Sequence, residues 1–395
     1  MRADPHGIAE KLTLGAALVG VAYAVTAIVR VRAFGRRLRE TPPEPARRPA
    51  VTVIKPVRGI EPGLEENLRS FCVQDYPAYE VVFGVHDGDD PALDMIRRVA
   101  AAAPDRTTVV VGDGVARFRN PKMTNVAPML AHANGEIIVI SDSDMRVRPD
   151  YLEAVTAPFA DPRVGAVTAL YRGEPADGTL AAVLGAMCLT EQFAPSTLVA
   201  NAIEPVRYIF GSTMAVRRDV LSEIGGIEAL GNHLADDFAL GRLVTEKGYL
   251  VEVARCVVVN VVVERDLRAL FEHELRWART IRAVRPLNYP GIVLTYPLPL
   301  ALVHLALARD KRAAIVLTVL AGLLRLTIHR TAHTAFGSRH RPSRRLIPLR
   351  DAFGVVVWAC GLWGRSVRWQ GQRLHIAERD ELASRTETAE GSSER

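Results

Sequence analysis

Residues 136–144 read EIIVISDSD, an apolar run that ends in two aspartates one residue apart. A run of isoleucine and valine is typical of a buried β-strand, so Asp142 and Asp144 would leave the carboxyl end of that strand together. Two carboxylates so close repel each other unless a cation lies between them. Mg²⁺ binds carboxylates in this way, together with phosphate groups. The pair therefore predicts a metal site, with a turn formed by two aspartates as the alternative.

Segments on the amino-terminal side of this run alternate between strand-like and helix-like patterns. Runs rich in β-branched residues occupy 50–57, 79–87 and 107–112, and helix-like stretches follow them at 63–73, 91–102 and 121–133. This alternation predicts an α/β fold with a doubly wound, mostly parallel sheet over residues 51–265. Ligands bind such sheets at the carboxyl ends of the strands, which is where Asp142 and Asp144 would lie.

Further aspartates cluster at two other element boundaries. VHDGDDP (85–91) closes a strand with Asp87, Asp89 and Asp90, and HLADDFALG (233–241) places Asp236 and Asp237 at the start of a helix. Aspartate is common in turns and at helix N-caps, so each cluster has a structural as well as a functional interpretation.

The composition favours a globular domain joined to a few membrane segments. The 395 residues are 49% hydrophobic and carry a net charge of +6, much of it from arginines beside apolar runs. Arginines in such positions typically set membrane topology and contact anionic lipid headgroups, rather than bind nucleic acid. The four cysteines show no CxxC spacing, which indicates neither a zinc site nor a disulfide framework and favours a reducing compartment.

The first apolar run, 12–29, has the length of a bilayer-spanning helix and no charged residue inside it. Five arginines follow it: Arg30, Arg32, Arg36, Arg37 and Arg39. By the positive-inside rule they predict an uncleaved anchor (1–40) with its N-terminus outside and the following domain in the cytoplasm. The Pro-rich segment 41–50 is predicted to be a linker.

Three more apolar runs lie at 291–308, 313–324 and 346–363, and 287–370 is predicted to form membrane segments. The middle run is short for a span. If all three runs crossed, Arg309, Lys311 and Arg312 would face outward against the positive-inside rule, so a shallow or re-entrant hairpin is the alternative. The polar tail, 371–395, is predicted to be disordered.

The segment DLRALFEHELRWARTIRAVRP (266–286) has apolar residues at helical spacing and arginines on the other faces. This pattern predicts an amphipathic helix that lies in the membrane surface. The helix carries the sequence HELRW (273–277). In the structural alternative, Trp277 is a core or belt aromatic and Arg276 is a surface charge.

The order and spacing of these motifs resemble the inverting glycosyltransferases of the GT-A fold, family 2 and its relatives. Within that group the chain is most similar to the ceramide glucosyltransferases and to their bacterial relatives in hopanoid biosynthesis. The resemblance runs from residue 51 to residue 286. Besides HLADDFALG and HELRW, it rests on IKPVRGIEPGLEENLRSFCVQDYP (54–77), NPKMTN (120–125), SDSDMRV (141–147) and GSTMAVRRDVLSEIGG (211–226).

The resemblance implies roles around a nucleotide-sugar donor. Asp90, or Asp87 on a different alignment, would lie near the uridine. Asp142 and Asp144 would hold Mg²⁺ or Mn²⁺ at the diphosphate. Lys122 would add a positive charge near the donor, or would be a solvated surface residue at the start of its helix.

The resemblance also implies the residues of the transfer step. Asp237 would be the catalytic base, and Asp236 would then cap the helix that follows. HELRW matches a Q/R-x-x-R-W box, with His273 in the position where Gln or Arg is usual. Arg276 and Trp277 match the catalytic end of that box.

These features together predict a metal-dependent, inverting hexosyltransferase in a bacterial-type inner membrane, with several spans and a cytoplasmic catalytic domain. The donor would be a UDP-sugar and the acceptor a membrane lipid, with no role for nucleic acid. The resemblance implies N-acetylglucosamine transfer to a polyhydroxylated hopanoid first, and glucose transfer to ceramide second. A processive polysaccharide synthase and an inactive nucleotide-sugar-binding membrane protein are the alternatives.

Overall fold

The structure is a computed structural model that describes residues 4–40, 47–369 and 372–375. The chain forms two compact units. Among the described residues, the helical unit comprises 4–40, 173–204 and 264–369, and the sheet unit comprises 47–172, 205–263 and 372–375. Residues 173–204, which lie inside the range expected for the catalytic domain, thus belong to the helical unit. Part of the linker (41–46) and nearly all of the tail predicted to be disordered lie outside the described residues.

The helices are, in chain order, α1 (Pro5–Arg37), α2 (Leu64–Cys72), α3 (Leu93–Ala101), α4 (Pro121–Leu130), α5 (Tyr151–Thr156), α6 (Leu180–Cys188), α7 (Ala194–Ala200), α8 (Arg218–Glu223), α9 (Asp236–Glu246), α10 (Leu267–Val284), α11 (Pro297–Leu307), α12 (Lys311–Ala335) and α13 (Ile347–Gly361). The strands are β1 (Val51–Pro56), β2 (Tyr79–Val85), β3 (Thr107–Val111), β4 (Ile137–Ile140), β5 (Met145–Arg146), β6 (Val164–Pro175), β7 (Met214–Arg217), β8 (Leu250–Val262), β9 (Ser366–Trp369) and β10 (Gln372–His375). A π-helical turn, Leu189–Phe193, joins α6 to α7. Short 3₁₀ helices span Ala157–Ala160, Ile227–Leu230, Tyr289–Thr295 and Arg344–Leu346.

The sheet unit is built on eight strands in the order β3-β2-β1-β4-β7-β6-β8-β5. Strands β3, β2, β1 and β4 are parallel, as the alternation of strands and helices predicted. The remaining strands add antiparallel pairs, such as β4 with β7 and β5 with β8, so the sheet is mixed. The seven strands and helices expected between residues 50 and 144 are all present.

Alternate residues of the central strands face two different hydrophobic cores, because successive side chains of a strand point to opposite sides of the sheet. Val51 and Val53 of β1 pack with α2 and α3 in one core, whereas Ile54 packs with α4 in the other. Burial on both faces explains why these strands are continuous apolar runs in the sequence.

The helical unit contains two helices long and apolar enough to cross a membrane, α1 and α12. The 3₁₀ helix Tyr289–Thr295 and α11 meet at an angle of 84°, so this pair is either a broken span or a re-entrant loop. In this unit α1 packs against α11 and α12. The run 346–363 forms α13, whose 15 residues include the buried Arg350 and Asp351.

Helix α12 extends well past the apolar run that the sequence marked at 313–324. Its continuation carries Arg325, which donates to Glu191 at 2.8 Å and to Asp351 at 3.0 Å, and all three side chains are buried. A buried charge is tolerated when it is paired in this way. The apolar run 313–324 therefore underestimates the length of the helix, because the sequence does not show the partners of Arg325.

Two histidines of α12 complete this buried cluster. His329 Nδ1 and His333 Nε2 lie 2.9 Å and 3.0 Å from the same carboxylate oxygen of Glu191. The three groups have the ligand types of a metal site. However, Arg325 already holds the other oxygen of Glu191, and a guanidinium group beside that carboxylate repels a metal ion. Hydrogen bonding and ion pairing account for the arrangement.

Candidate active site

The carboxyl end of β4 presents the D-x-D pair, and three elements hold it in place. The amide of Asp142 donates to the carbonyl of Gly211 at 3.2 Å, and Lys122 Nζ lies 2.8 Å from the carboxylate of Asp142. Asn260 of β8 donates to Asp144 Oδ2 at 2.7 Å, because β8 pairs with β5 immediately after the D-x-D. The pair is thus fixed in a polar setting at the edge where ligands bind in α/β sheets.

One carboxylate oxygen of Asp144 is left without a polar contact among the described residues. Its Oδ1 is buried and has no hydrogen-bond partner within the described part of the chain. Burial, and then the negative charges of Asp142 and Glu61, raise the pKa of Asp144 to about 7, although Lys55 and Asn260 oppose the shift. A carboxylate that prefers a proton here would also be stabilised by a bound cation.

A lysine that the sequence reasoning did not assign lies directly beneath the pair. Lys55, the fifth residue of β1, is fully buried, with its ammonium group 4.0 Å from the ring centre of Phe71. It donates to the carbonyl of Asp142 and lies 3.4 Å from Ser141 Oγ. Burial lowers its pKa to about 7, while the charges of Asp144 and Asp142 oppose that shift.

The two aspartates at the start of α9 have different partners. Asp236 is buried, lies 2.9 Å from Lys122 Nζ and accepts from Asn120 at 3.2 Å. The expectation that Asp236 caps the helix is wrong, since α9 begins at Asp236 itself and its N-cap residue is Ala235. The short polar side chain is instead used to hold Lys122 between two carboxylates.

Two backbone amides donate to the carboxylate of Asp237. Its Oδ2 accepts from Gly211 at 2.8 Å and its Oδ1 from Phe238 at 2.7 Å. Burial, and then the neighbouring charge of Asp236, raise the pKa of Asp237 to about 7 against the opposing effect of Lys122. A carboxyl group with a pKa near neutrality is suited to accept a proton during catalysis.

Gly211 joins the two acidic groups through its backbone. Its carbonyl accepts from Asp142 and its amide donates to Asp237. A Cβ atom at this position would lie 2.5 Å from Asp142 Oδ2, so a larger residue would push that carboxylate away from its position.

The acidic residues after β2 lie in a tight turn. Both carboxylate oxygens of Asp90 lie 3.0 Å from the amide of Gly59, and Oδ1 also accepts from Ala92. Asp87 accepts from the amide of Asp89 at 3.0 Å. Both side chains therefore shape the loops at the carboxyl ends of β1 and β2.

The residues of HELRW belong to the helical unit, on α10. His273 Nδ1 is bonded to the carboxylate of Glu264, and the ring of His273 lies 4.3 Å from that of Trp277. Burial raises the pKa of Glu264, but the hydrogen bond and charge of His273, with the charge of Arg276, leave it below its usual value. Glu264 is thus the residue that holds His273 in place.

Comparison with known proteins identifies the family. The sequence profile of glycosyl transferase family 21 matches residues 12–382, nearly the whole chain. The chain belongs to glycosyl transferase family 21. Among similar curated proteins is ceramide glucosyltransferase 1 of Caenorhabditis elegans, 27% identical over 273 residues, which cover 69% of this chain and 58% of that protein. Another is an N-acetylglucosaminyltransferase of Rhizobium meliloti, 25% identical over 279 residues, which cover 67% of this chain and 63% of that protein.

The family 21 chain thus spans less than two thirds of the length of these relatives. Among solved structures, its fold is similar to a mannosyltransferase from Pyrobaculum calidifontis, which was solved in complex with GDP-mannose and Mn²⁺. The TM-score is 0.50 at 22% identity, over 88% of this chain and 99% of the other. The GT-A fold class expected from the sequence is confirmed.

Sequence reasoning missed three side chains of this family 21 site. Lys55 and Asn260 lie in apolar strands, where a polar residue is a signal that it serves a buried partner. Asn120, the first residue of NPKMTN, donates to Asp236 and caps α4 by accepting from the amides of Lys122 and Met123. These residues support the aspartates rather than adding new carboxylates.

Proposed function

We propose that this protein transfers a hexose from a UDP-sugar to a hydroxyl group of a membrane lipid, with inversion at the anomeric carbon. The observation that carries the proposal is the link through Gly211, with the D-x-D on one side of its backbone and Asp237 on the other. Membership of family 21 and the two candidate membrane helices also support it.

The D-x-D would serve the leaving group. The bond between sugar and nucleotide breaks through an oxocarbenium-like transition state, while negative charge grows on the diphosphate. Asp142 and Asp144 would hold Mg²⁺ or Mn²⁺, which when bound neutralises that charge. The buried, unpartnered oxygen of Asp144 fits this role. So does the local charge, because within the described part of the chain the four carboxylates of Asp142, Asp144, Asp236 and Asp237 have the ammonium groups of two lysines, Lys55 and Lys122, beside them.

Asp237 would serve the acceptor. Inversion requires a base on the face opposite the leaving group, to take the proton of the attacking hydroxyl. Two amide donors orient the carboxylate of Asp237, and burial places its pKa at about 7, close to the working pH of such a base. General base catalysis is typically worth about 10² to 10⁴ in rate.

The remaining roles follow from the sequence resemblance. Asp90 or Asp87 would lie near the uridine, and Arg276 would meet the charge that develops on the diphosphate. His273 would replace the usual Gln or Arg, and its bond to Glu264 supports a positioning role on α10. The exposed apolar side chains of Leu267 and Ile281 support the interpretation of α10 as an interfacial helix.

Two lipid acceptors are candidates. The similarity to ceramide glucosyltransferases over 69% of this chain supports ceramide with glucose. The intact D-x-D and His273 fit the hopanoid-associated branch, and the similarity to an N-acetylglucosaminyltransferase supports N-acetylglucosamine as the sugar. We propose that the protein lies in a bacterial-type inner membrane and that its sheet unit faces the cytoplasm, where UDP-sugars are made.

The test is an in vitro transfer assay with the purified full-length protein. UDP-glucose and UDP-N-acetylglucosamine are each offered with ceramide and with a polyhydroxylated hopanoid, and products are identified by mass spectrometry. We expect one sugar on one lipid, no product in EDTA, and recovery when Mn²⁺ or Mg²⁺ is added. Asp144→Asn should lose activity, whereas Asp113→Asn, in an exposed turn, should keep it. Lipid profiling of a deletion strain beside its parent then names the natural acceptor.

Three other outcomes would change the proposal. A sugar polymer as product would indicate a processive synthase. Tight UDP-sugar binding with no transfer under any condition would indicate an inactive binding protein. Full activity in EDTA would remove the metal while leaving the transfer reaction in place.

A further inference from the structure

A groove of about 410 Å³ lies between the ends of α1 and α12 in the helical unit. Its lining residues include four arginines, Arg32, Arg36, Arg39 and Arg330, and two threonines, Thr331 and Thr334. Neither the candidate active site nor the buried cluster around Glu191 includes any of them.

The groove exists because the two helices approach closely at small residues. A Cβ atom on Gly35 would lie 2.8 Å from the Cβ of Ala335, so the backbones come together there. Such contacts between small residues are typical of helix packing in membranes. Just beside them the rings of Phe34 and Phe336 meet edge to face at 6.4 Å. Gly35 and Ala335 therefore form the bottom of the groove, and the long arginine side chains surround them.

The arginines of this groove have no carboxylate partner among the described residues. Arg32, Arg36 and Arg39 recur at helical spacing and so lie along one side of the chain, facing Arg330 across the groove. No carboxylate forms an ion pair with these four guanidinium groups within residues 4–40, 47–369 and 372–375. By contrast, the buried Arg325 and Arg350, and the exposed Arg309, each have a carboxylate partner. Four guanidinium groups of like charge around one groove favour the binding of an anion there.

The position of the groove along α12 indicates which kind of anion would bind in it. Arg330 follows Lys311 by 19 residues, which corresponds to about 29 Å along a helix. The hydrocarbon core of a bilayer is about 30 Å thick. If the basic start of α12 lies at one boundary of that core, the groove lies at the other, at the level of the phosphate groups of lipids.

We propose that this groove binds the phosphate headgroup of an anionic phospholipid, which holds the end of α1 against α12. The guanidinium groups of Arg36 and Arg330 donate paired hydrogen bonds to the phosphate oxygens, a geometry that arginine provides and lysine does not. The hydroxyl groups of Thr331 and Thr334 offer further donors to the headgroup. The lipid is a stabilising ligand of the helical unit and takes no part in sugar transfer.

The test uses the full-length protein in nanodiscs of phosphatidylcholine, with and without phosphatidylglycerol. Native mass spectrometry measures bound phosphatidylglycerol, and tryptophan fluorescence follows thermal unfolding. We expect phosphatidylglycerol to bind and to raise the unfolding temperature of the wild type. The double variant Arg36→Gln/Arg330→Gln should bind it about tenfold or more weakly, since two charges near the lipid surface are lost. Arg330→Lys, which keeps the charge but not the paired donors, should be intermediate.

The control is Arg37→Gln, which removes an exposed arginine of the same helix turn that does not line the groove. Equal weakening by Arg37→Gln would show that only the general charge of the surface matters and would overturn the site. Displacement of phosphatidylglycerol by inorganic phosphate at low concentration would overturn the lipid as ligand in favour of a soluble anion. Equal stability in phosphatidylcholine alone would also overturn the proposal.

Discussion

Asp236 and Asp237 are neighbours in the chain, yet their carboxylates have different environments, and this difference supports the proposal that Asp237 is the base. Asp237→Asn keeps the size of the side chain and one of its two contacts with backbone amides, because only one oxygen remains to accept, and it removes the proposed proton acceptor. We expect transfer to fall by about 10² to 10⁴, which is roughly 3–5 kcal/mol of barrier, with UDP binding retained. Transfer rate and UDP affinity, measured side by side, check this.

Asp236→Asn is the matched comparison. It leaves Lys122 with one carboxylate fewer, so it should lower the thermal unfolding temperature and disturb the D-x-D moderately. An inactive Asp236→Asn beside a nearly normal Asp237→Asn would move the base by one residue.

The same assignment predicts a dependence on pH. A base must be deprotonated to accept a proton, and burial raises the pKa of Asp237 to about 7. Transfer by the wild type should therefore rise as the pH increases through about 7 and level off above it. The residual activity of Asp237→Asn should lack this rise. A rate that falls over the same interval would contradict Asp237 as the base.

Gly211 offers a test of geometry at a position without a functional side chain. In Gly211→Ala the new Cβ would press on Asp142 Oδ2 at 2.5 Å, so the carboxylate must move away from its position. We expect a large loss of transfer and a raised requirement for Mn²⁺, with far-UV circular dichroism unchanged. Gly178→Ala, where a Cβ meets nothing within 4 Å, should be fully active. If both variants keep activity, the link through Gly211 does not matter.

Among the elements, α10 and α13 are fastened by one buried ion pair. Arg350 donates to both carboxylate oxygens of Glu274, at 2.6 Å and 2.8 Å, and both side chains are buried. Glu274→Ala leaves the guanidinium group buried without its partner, which typically costs about 3–5 kcal/mol. Glu272→Ala on the same helix removes an exposed pair with Arg268, and pairs of this kind are typically worth about 1 kcal/mol or less. Unfolding temperatures of the two variants in the same detergent decide whether this pair holds the helices together.

The elements also show what the sequence could predict. The strands and helices from β1 to β4 were predictable because strong apolar periodicity marks them and turn residues bound them. The carboxyl end of α12 was not predictable. A charged residue such as Arg325 indicates the end of a span unless its partners, Glu191 and Asp351, are known. The acidic residues of the candidate site were predicted from their positions at strand and helix ends. Lys55 and Asn260 were not, because their roles depend on contacts between strands far apart in sequence.

For the whole molecule, the ends of the membrane helices suggest a topology. Arg309, between α11 and α12, lies 2.7 Å from Asp4, and its amide donates to Glu10 at 2.7 Å. These acidic partners reduce the cost of placing the basic residues 309–312 outside. We predict that alkaline phosphatase fused after residue 310 is active and that green fluorescent protein fused after residue 40 is fluorescent. The reverse pair of signals would invert the proposed orientation.

The interleaving of the two units along the chain has a consequence for biogenesis. Residues 173–204 leave the ribosome between two parts of the sheet unit, yet α6 packs with α10 and α13, and the turn at Glu191 packs with α12. At roughly 5–20 residues per second, those partners are synthesised many seconds later. During that interval the apolar helices α6 and α7 are exposed, and Glu191 has no counter-charge. Early docking on the membrane or on a chaperone is the step at which newly made protein would be rescued or lost.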